Sequence, residues 1–175
     1  NANEEDIIKK IKDLNNDDKV HGIIVQLPLP KNLGSLNIIN TISPKKDVDC
    51  LTRENKGKFL EEDSLYPATP KGIIRLLEEY GINLEGKNVV LINRSDIVGK
   101  PLAFILLKKN ATVTICHSKT IDLIKHTKEA DILITAIGKP NFIKVNMVKP
   151  DAIIIDVGIS LVKGKVVGDV DFDNV

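Results

Sequence analysis

The second half of the chain alternates short, almost wholly apolar runs with amphipathic segments, and this alternation limits the possible folds more than any other feature. The apolar runs are 88–92, 111–116, 131–137 and 152–159, and the segments with helical spacing between them are 99–109 and 121–129. Strands that are covered on both faces are apolar throughout, and helices between them join parallel neighbours. This half therefore predicts an α/β fold built on a parallel sheet, with a hairpin at "KGKVVGDV".

The first half shows a different pattern, in which helices are separated by loops rich in turn residues. Ile7, Ile8, Ile11 and Leu14 recur at helical spacing and predict a helix over 3–14. The apolar segment Gly22–Gln26, stopped by Pro28, predicts a short buried strand. Ser35 is placed to cap a short helix over "SLNIINTI". These elements predict a small α/β domain of its own.

A clear helix signal follows the middle of the chain. Thr69 is a natural N-cap, Pro70 suits the first helical position, and Gly81 can end the helix in the left-handed conformation. The pattern changes near residues 60–70, so we expect one domain over 1–65 and a second over 66–175. A chain of 175 residues can bury two small cores of this kind.

Composition argues against several classes of function. The chain has 3% aromatic residues and a formal net charge of +1, which disfavours binding to nucleic acid or to an anionic membrane. No apolar run approaches the roughly 20 residues of a membrane span. His21, His117 and His126 form no metal-binding cluster in the sequence, and no G-x-S-x-G turn supports a hydrolase. Cys50 and Cys116 are isolated, which indicates a reducing compartment and favours a cytoplasmic location, with a mitochondrion or plastid as the alternatives.

The segment "NRSDIVGKP" joins the first apolar run of the second half to the helix after it. Gly99 opens that helix, where free N–H groups and the helix dipole favour a phosphate. The three-glycine spacing of the usual dinucleotide loop is missing, so an ordinary strand–loop–helix turn is the alternative. Parallel sheets bind ligands beyond the carboxyl ends of their strands. The candidate cofactor contacts there are Asn93, Arg94, Ser95, Gly99, His117, Ser118, Gly138, Gly158 and Ile159.

The end of the second strand bears on which cofactor is bound. Folds that prefer NAD usually place a carboxylate there to hold the ribose 2′-hydroxyl. This chain has "CHSKT" instead, with no acid. Ser118, Lys119 and Arg94 could surround a 2′-phosphate, because the Arg fork donates two charged hydrogen bonds to phosphate. The sequence thus favours NADP, and the alternative is that Arg94 and Lys119 are solvated surface charges.

Two polar positions in the first half are candidates for binding a substrate. Gln26 follows the apolar segment and is either a ligand contact or a residue that faces water at a strand end. Asp47 and Asp49 lie two apart, so in an extended loop only one of them can face a given pocket. Such a carboxylate could pair with the edge of an aminopyrimidine ring. The alternative is an Asp that forms a turn.

Eight segments occur in order along the chain and together resemble one family. They are "VHGIIVQLPLP", "PKKDVDCL", "PATPKG", "RSDIVGKP", "ATVTICHSKT", "DILITAIGKP", "KPDAIIIDVGI" and "KVVGDVDF". From about residue 20 onward the chain resembles the bifunctional methylenetetrahydrofolate dehydrogenase/methenyltetrahydrofolate cyclohydrolases. The resemblance implies a Rossmann-like NADP-binding domain and part of a smaller α/β catalytic domain. It also implies a homodimer and a place in one-carbon metabolism and purine biosynthesis.

The resemblance implies a reaction and a role for several residues. The enzymes oxidise 5,10-methylenetetrahydrofolate with NADP and hydrolyse the methenyl product to 10-formyltetrahydrofolate. Val25, Gln26 and Leu27 would lie along the tetrahydrofolate derivative, with Gln26 in the cyclohydrolase step. Asp49 would hold the pterin ring, so Gln26 and Asp49 are the catalytic candidates. Residues of the cofactor group above, among them Asn93 and Arg94, would contact NADP.

The chain departs from the family pattern in four ways. Neither Tyr66 nor Tyr80 has the Lys four positions on that a catalytic Y-x-x-x-K motif requires, and no "PGGVGP" follows "VGDVDFD". Cys50 and Asn93 stand where the family usually has Gly. Cys50 could alter the loop that carries Asp49, whereas Asn93 could preserve its turn because Asn tolerates positive φ. We therefore expect an interior piece of a longer enzyme that lacks cyclohydrolase activity by itself. The alternatives are an NADP-dependent dehydrogenase of shikimate or amino-acid type and a non-catalytic nucleotide-binding module.

Overall fold

A computed structural model describes residues 3–61 and 65–175 of the chain. The chain divides into two compact units, Asn1–Ala68 and Thr69–Val175. The expected boundary after residue 65 adjoins residues 62–64, which lie outside the described residues. Among the helices of the described ranges, none combines the length and the apolar character that crossing a membrane requires.

The second unit is built on a four-stranded sheet whose strands are all parallel. The strands are β1 (Asn88–Ile92), β2 (Thr112–Cys116), β3 (Ile132–Thr135) and β4 (Ile153–Asp156), in the order β2-β1-β3-β4. Each strand lies within the apolar run that predicted it. The α/β fold with a parallel sheet is therefore confirmed. The chain runs outward from β1 to β2 and then crosses back to β3, so its direction of winding reverses beside β1.

The central strands are buried because helices cover the sheet. Helices of this unit are α4 (Ala68–Glu79), α5 (Gly99–Lys108) and α6 (Leu123–Lys128), with a 3-10 turn at Val145–Met147. Every residue of β3 is buried, as are the last four residues of β1. Leu102, Ile105 and Leu106 form the buried stripe of α5. Burial of these apolar side chains is the main favourable contribution to the free energy that holds the sheet and helices together.

The hairpin predicted at "KGKVVGDV" is present, and its first strand precedes that segment. Strands β5 (Ser160–Val162) and β6 (Lys165–Val167) pair in antiparallel register, and Leu161 faces Val166. The turn between them has positive φ at Lys163 and at Gly164. Such a turn matches the twist of the two strands it joins.

The described residues of the first unit, 3–61 and 65–68, contain three complete helices and a small apolar core. The helices are α1 (Glu4–Asn16), α2 (Ser35–Asn40) and α3 (Arg53–Gly57), followed by a 3-10 turn at Lys58–Leu60. Asn3 caps α1 by accepting a hydrogen bond from the Asp6 N–H at 2.8 Å. Ile11, Ile23, Ile38 and Ile42 form the buried cluster. Helix α3 was not predicted, because its five residues are too few to show an apolar period.

The strand expected over Gly22–Gln26 is wrong in extent. In the described ranges Ile23 forms a single parallel bridge with Asp47, with its N–H 2.7 Å from the Lys46 carbonyl oxygen. Ile24 is 61% exposed, so the run is not buried along its length. An apolar run indicates a strand only where a neighbour pairs with it, and here pairing extends to one residue.

Two predicted helix starts are also wrong by one or two residues. Ser35 is the first residue of α2 and Gly34 occupies the cap position, so Ser35 does not cap the helix. Helix α4 begins at Ala68, which makes Pro70 its third residue. The N–H groups of a first helical turn have no partner within the helix, so a proline is tolerated at the third position too. Gly81 does end α4 with φ of 66°, as predicted.

Candidate functional site

A cavity of about 640 Å³ lies at the carboxyl edge of the parallel sheet. Its lining residues follow β1, β2 and β3, or end them, and they lie where the winding of the sheet reverses. They are Ile92, Asn93, Arg94, Ser95, His117, Ser118, Thr120, Leu123, Ala136, Ile137, Lys139 and Phe142. The structure thus brings together five of the nine cofactor candidates: Asn93, Arg94, Ser95, His117 and Ser118.

Asn93 ties the loop after β1 to the loop after β3. Its side-chain amide donates to the Ala136 carbonyl oxygen, while its Oδ1 accepts from the Ser95 N–H and the Ser95 hydroxyl, each at 2.8 Å. Asn93 is not among the residues with positive φ. The tolerance of Asn for a left-handed backbone is therefore not what fits it to this position. Its side chain holds two of the loops that line the cavity.

The start of α5 differs from the phosphate cradle that the sequence suggested. The Ser95 hydroxyl accepts from the Val98 N–H at 3.1 Å, and the Ser95 carbonyl oxygen accepts from the Lys100 N–H at 3.0 Å. The Gly99 N–H also points to the Ser95 hydroxyl, at 3.5 Å, and Pro101 has no N–H. The expectation of free N–H groups at Gly99 is wrong, because the loop turns back on itself and satisfies them.

Gly99 is required at this position for a steric reason. A Cβ on Gly99 would lie 2.4 Å from the Asn93 carbonyl oxygen, well inside the contact distance of a real side chain. The close approach of β1's end to the helix start therefore requires glycine. Gly99 shapes the loop that carries Arg94, and it does not line the cavity.

The charge of the cavity matches an anionic ligand. Arg94 and Lys139 are the cationic lining residues, and the twelve described lining residues include no Asp or Glu. Arg94 and Ser118 are exposed, so both are open to a ligand. Lys119, which the sequence grouped with them, is not part of the lining.

The turn after β2 fixes the orientation of His117. Its Nδ1 accepts from the Lys119 N–H at 3.1 Å, so the proton of the neutral ring lies on Nε2. The His117 N–H donates to the Thr120 hydroxyl at 2.8 Å. Beneath this turn, burial raises the pKa of the Cys116 thiol. Cys116 is therefore a protonated core residue and not a nucleophile.

Sequence reasoning missed several residues that line the cavity. Thr120, Lys139 and Phe142 line it, and the Lys139 ammonium lies 5.4 Å from the centre of the Phe142 ring. The segment "AIGKP" after β3 could have indicated Lys139, since it follows a strand end in the same way as Arg94 does. The spacing alone did not show that Phe142 folds back toward the strand end.

Three other cofactor candidates are outside the lining of the cavity. Gly138 has φ of 64°, a conformation that favours glycine. Gly158 is buried, and a Cβ there would lie 2.1 Å from the Asp169 carboxylate. Ile159 is 76% exposed at the start of the hairpin segment. None of the three is a lining residue of the cavity as described.

The two candidate acids of the first unit, Asp47 and Asp49, have different surroundings. Asp47 is 2% exposed, and its carboxylate accepts hydrogen bonds from the Leu51 N–H at 3.1 Å and the Thr52 N–H at 2.9 Å. Asn55 donates to the same carboxylate at 3.0 Å. Asp47 therefore organises its loop, and the half-buried Asp49 is the acid that remains available to a ligand.

The remaining substrate candidates lie on a neighbouring segment of the first unit. Val25 and Leu27 are half-buried and Gln26 is exposed, with its amide 3.2 Å from the Leu27 carbonyl oxygen. Val25 borders a shallow apolar groove of about 340 Å³ beside α1, which Gln26, Leu27 and Asp49 do not line. The bridge between Ile23 and Asp47 sets this segment alongside the loop that carries Asp49.

The structure contains no ready-made metal site in the ranges 3–61 and 65–175. No three His, Cys, Asp or Glu side chains there are grouped so that they could hold a metal ion.

Two family models match the chain. The NAD(P)-binding domain of tetrahydrofolate dehydrogenase/cyclohydrolase matches residues 67–175, and the catalytic domain of the same family matches residues 1–49. The bifunctional protein FolD of Clostridium beijerinckii is 54% identical over 99% of this chain and 62% of its own length. The chain thus spans about three fifths of the length of such relatives.

Solved structures agree with the family models. The bifunctional FolD methylenetetrahydrofolate dehydrogenase/cyclohydrolase from Campylobacter jejuni superposes with a TM-score of 0.96 at 45% identity, over 99% of this chain and 63% of that one. The Trypanosoma brucei enzyme, solved with NADP cofactor and inhibitor, has a TM-score of 0.93 at 34% identity, over 99% of this chain and 62% of that one. The chain therefore belongs to the tetrahydrofolate dehydrogenase/cyclohydrolase family.

Proposed function

We propose that the chain forms the NADP-binding domain and part of the catalytic domain of a bifunctional methylenetetrahydrofolate dehydrogenase/cyclohydrolase. The protein would oxidise 5,10-methylenetetrahydrofolate and hydrolyse the methenyl product to 10-formyltetrahydrofolate, in one-carbon metabolism and purine biosynthesis. The observation that carries this proposal is the cationic cavity at the reversal point of the sheet, combined with the family match of both segments. Residues 1–65 would be the partial catalytic domain and 66–175 the NADP-binding domain.

The cavity residues fit a dinucleotide with a 2′-phosphate. Arg94 supplies a charged donor fork, and Ser118 a hydroxyl, beside a strand end that has no carboxylate. A carboxylate in this place would repel the phosphate, so its absence from the lining favours NADP over NAD. The apolar lining residues Leu123, Ile137 and Phe142 offer a surface for the adenine ring. Asn93 and Ser95 would hold the loop that presents Arg94.

The folate derivative would bind along the first unit. Val25, Gln26 and Leu27 would line its path, and Asp49 would accept hydrogen bonds from the aminopyrimidine edge of the pterin. NADP bound in the cavity of the second unit would supply the acceptor for the hydride removed from the methylene carbon. In the second reaction a water would add to the methenyl carbon and release a proton. The bond between that carbon and N5 would then break as N5 takes up a proton, which leaves the formyl group on N10, and Gln26 would orient the water by hydrogen bonding. The lysine of the family's Y-x-x-x-K motif is not among these 175 residues.

Location and assembly are further parts of the proposal. A cytoplasmic enzyme suits Cys50 and Cys116, which are both buried and form no disulfide with each other. A homodimer suits the large apolar side chains that the hairpin exposes, among them Leu161 and Val166. We propose neither a nucleic acid nor a membrane as a partner, because the net charge is only +1.

The first test is a calorimetric titration of the chain with NADP⁺ and then with NAD⁺. We expect NADP⁺ to bind more tightly, and Arg94→Ala to weaken NADP⁺ binding about 10- to 100-fold, since a charged hydrogen bond is lost. NAD⁺ binding should change little in that variant. Arg75→Ala, an exposed Arg on α4 outside the cavity lining, is the matched control. Equal affinity for both cofactors, or an unchanged affinity in Arg94→Ala, contradicts the NADP assignment.

A second test separates the folate enzyme from its rivals. We expect a tetrahydrofolate analogue, added with NADP⁺, to raise the thermal midpoint of the chain, and Asp49→Asn to reduce that rise because the ring edge loses a charged acceptor. Asp18→Asn, at an exposed acid of the first unit, should leave the rise unchanged. Protection by shikimate and not by the folate analogue would favour a shikimate-type dehydrogenase. Protection by NADP⁺ alone would favour a non-catalytic nucleotide module.

A further inference from the structure

Asp169 is a buried acid in the segment "GDVDF" that the proposed cofactor contacts leave unexplained. It is 0% exposed, and three donors surround its carboxylate. The Thr135 hydroxyl donates to Oδ2 at 3.0 Å, the Ile137 N–H to Oδ2 at 2.7 Å, and the Lys139 N–H to Oδ1 at 2.7 Å. A buried carboxylate is retained only where donors of this kind compensate for its lost hydration.

Two of these donors belong to the backbone of the cavity wall. Ile137 and Lys139 both line the cavity, and Gly138 between them has φ of 64°. Each oxygen of Asp169 therefore accepts a hydrogen bond from one end of the short loop 137–139. Thr135, the third donor, is the last residue of β3, so the carboxylate also joins the loop to the sheet.

Asp169 is itself held by a second carboxylate, Asp156, at the end of β4. Asp156 accepts from the Asp169 N–H at 3.0 Å and from the Val170 N–H at 2.9 Å. A Cβ on Gly158 would lie 2.1 Å from the Asp169 carboxylate, and one on Gly168 would lie 2.0 Å from the Asp156 carboxylate. The two glycines leave room for the two carboxylates. Asp156 holds the backbone of Asp169, and Asp169 holds the loop after β3, so the two acids form one hydrogen-bonded relay. This relay accounts for the acids and glycines of "IIIDVGI" and "VVGDVDF".

We propose that Asp169 is a positioning residue for the nucleotide. Through the N–H groups of Ile137 and Lys139 it sets the loop that closes one side of the cavity, before any ligand binds. This inference rests on the proposed NADP-binding function of the cavity. It predicts that loss of one carboxylate oxygen weakens nucleotide binding even when the unit remains folded, because the Lys139 side chain and the loop backbone no longer stand in place.

The substitution Asp169→Asn is the sharpest probe of this role. Asn keeps the shape of the side chain but replaces one acceptor oxygen by an NH₂ donor. That donor must face one of the two backbone N–H groups, so one end of the loop is released. Thr135→Val is the companion variant, since it removes the hydroxyl bond and leaves both N–H bonds in place. Asp171→Asn is the matched control, because Asp171 lies in the same segment and pairs with Lys144 at 3.1 Å.

The experiment combines NADP⁺ titration with amide NMR of the 175-residue chain. We expect Asp169→Asn to raise the dissociation constant for NADP⁺ roughly tenfold or more, as expected for the loss of one charged hydrogen bond that orders the site. Thr135→Val and Asp171→Asn should stay within about twofold. The amide protons of Ile137 and Lys139 should exchange slowly in the unaltered chain without NADP⁺, and at least one should exchange fast in Asp169→Asn. A role limited to stability would not change these two amides selectively.

Each outcome decides a different claim. If the unaltered chain binds NADP⁺ and a folded Asp169→Asn binds it equally well, the positioning role is overturned and the proposed function is not. If the unaltered chain does not bind NADP⁺, the proposed function fails for this chain, together with the ligand half of the inference. Fast exchange of both amides in the unaltered chain would show that Asp169 does not hold the loop, and would overturn the inference. This measurement needs no variant, so it decides the matter even if Asp169→Asn does not fold.

Discussion

Asn93 and Cys50 both stand where the resemblance to the family predicts glycine, and the structure gives the two positions different backbone angles. Cys50 has φ of 54°, in the left-handed region where glycine is at an advantage. Asn93 is outside that region, and its side chain makes hydrogen bonds to Ser95 and Ala136 that glycine cannot make. From the sequence, Cys50 is expected to alter its loop, and Asn93 is expected to preserve its turn by tolerating positive φ. The backbone angle and the side-chain partners distinguish them.

A pair of glycine substitutions tests this difference. We expect Asn93→Gly to lower the free energy of unfolding by about 1–3 kcal/mol, because the loops after β1 and β3 lose their shared side chain. We expect Cys50→Gly to change it by less than about 1 kcal/mol, since relief of the left-handed conformation offsets the lost burial of the side chain. Urea unfolding followed by circular dichroism measures both variants.

Asn83→Ala is the control for Asn93→Gly. Asn83 also accepts a backbone N–H two residues on, from Glu85 at 3.1 Å, but in an exposed turn. It should therefore cost less than the Asn93 substitution. A neutral Asn93→Gly, or a Cys50→Gly that is the more destabilising of the two, would contradict the roles assigned to these residues.

At the scale of elements, carboxylate side chains join neighbouring strands at both edges of the parallel sheet. At the amino edge, Asp131 precedes β3 and accepts from the Asn88 N–H at the start of β1, at 2.8 Å. The Lys149 ammonium lies 2.5 Å from the other oxygen of Asp131 and belongs to the segment before β4. One carboxylate thus joins the starts of three neighbouring elements, opposite the edge that carries the cavity.

This junction predicts how stability depends on pH. The hydrogen bond from Lys149, followed by that from the Asn88 N–H, holds the pKa of Asp131 below its usual value. The ionised Asp131 therefore adds stability above the usual Asp pKa of about 4, and this contribution is lost as the pH falls through the lowered pKa of the folded chain. We expect Asp131→Asn to be less stable at neutral pH, with a deficit that shrinks on acidification.

Thermal unfolding between about pH 6 and about pH 2 measures this deficit. Asp173→Asn, an exposed acid near the last residue of the chain, should show a small difference at every pH. A deficit of Asp131→Asn that is constant with pH would mean that shape, and not charge, holds the junction.

At the scale of the whole molecule, the hairpin exposes large apolar side chains that the fold of the chain leaves uncovered. Leu161 is 75% exposed and Val166 is 72% exposed, and the two are direct partners across the strands, so they share a face. β5 and β6 form a two-stranded sheet by themselves among the described residues, so each has an open edge. Open apolar edges favour pairing with another chain, and a second copy offers the same edge by symmetry.

The proposed homodimer gives a direct test at this scale. We expect the chain to sediment as a dimer, and Leu161→Lys to raise the dimer dissociation constant at least about tenfold, because a large apolar side chain is lost from both copies. Leu107→Lys, at an exposed Leu of α5, is the control and should leave the dimer intact. A monomeric unaltered chain refutes the homodimer. A dimer unaffected by Leu161→Lys places the interface elsewhere.

The sequence by itself determined the class of fold and the family. Burial on both faces imposes a continuous apolar run on each parallel strand, so the four strands could be found without knowing their partners. The motifs around Gln26, Asp49, Arg94 and Ser118 carried the resemblance to the family, and the proposed substrates follow from that resemblance and not from spacing alone. Local signals also placed the end of α4 at Gly81, whose φ of 66° follows from its own conformational freedom.

Only the tertiary structure decided which of these residues meet, and how. Whether Gly22–Gln26 pairs as a strand depends on a neighbour that the segment does not encode. The sequence predicts free N–H groups at the start of α5. In the fold, the N–H groups of Val98 and Gly99 point to the Ser95 hydroxyl instead. Asp169 lies 30 residues beyond the Lys139 N–H that it accepts, and no local pattern reveals a hydrogen bond over that separation. Spacing encodes local conformation, whereas contacts between distant segments arise only when the strands are brought into register.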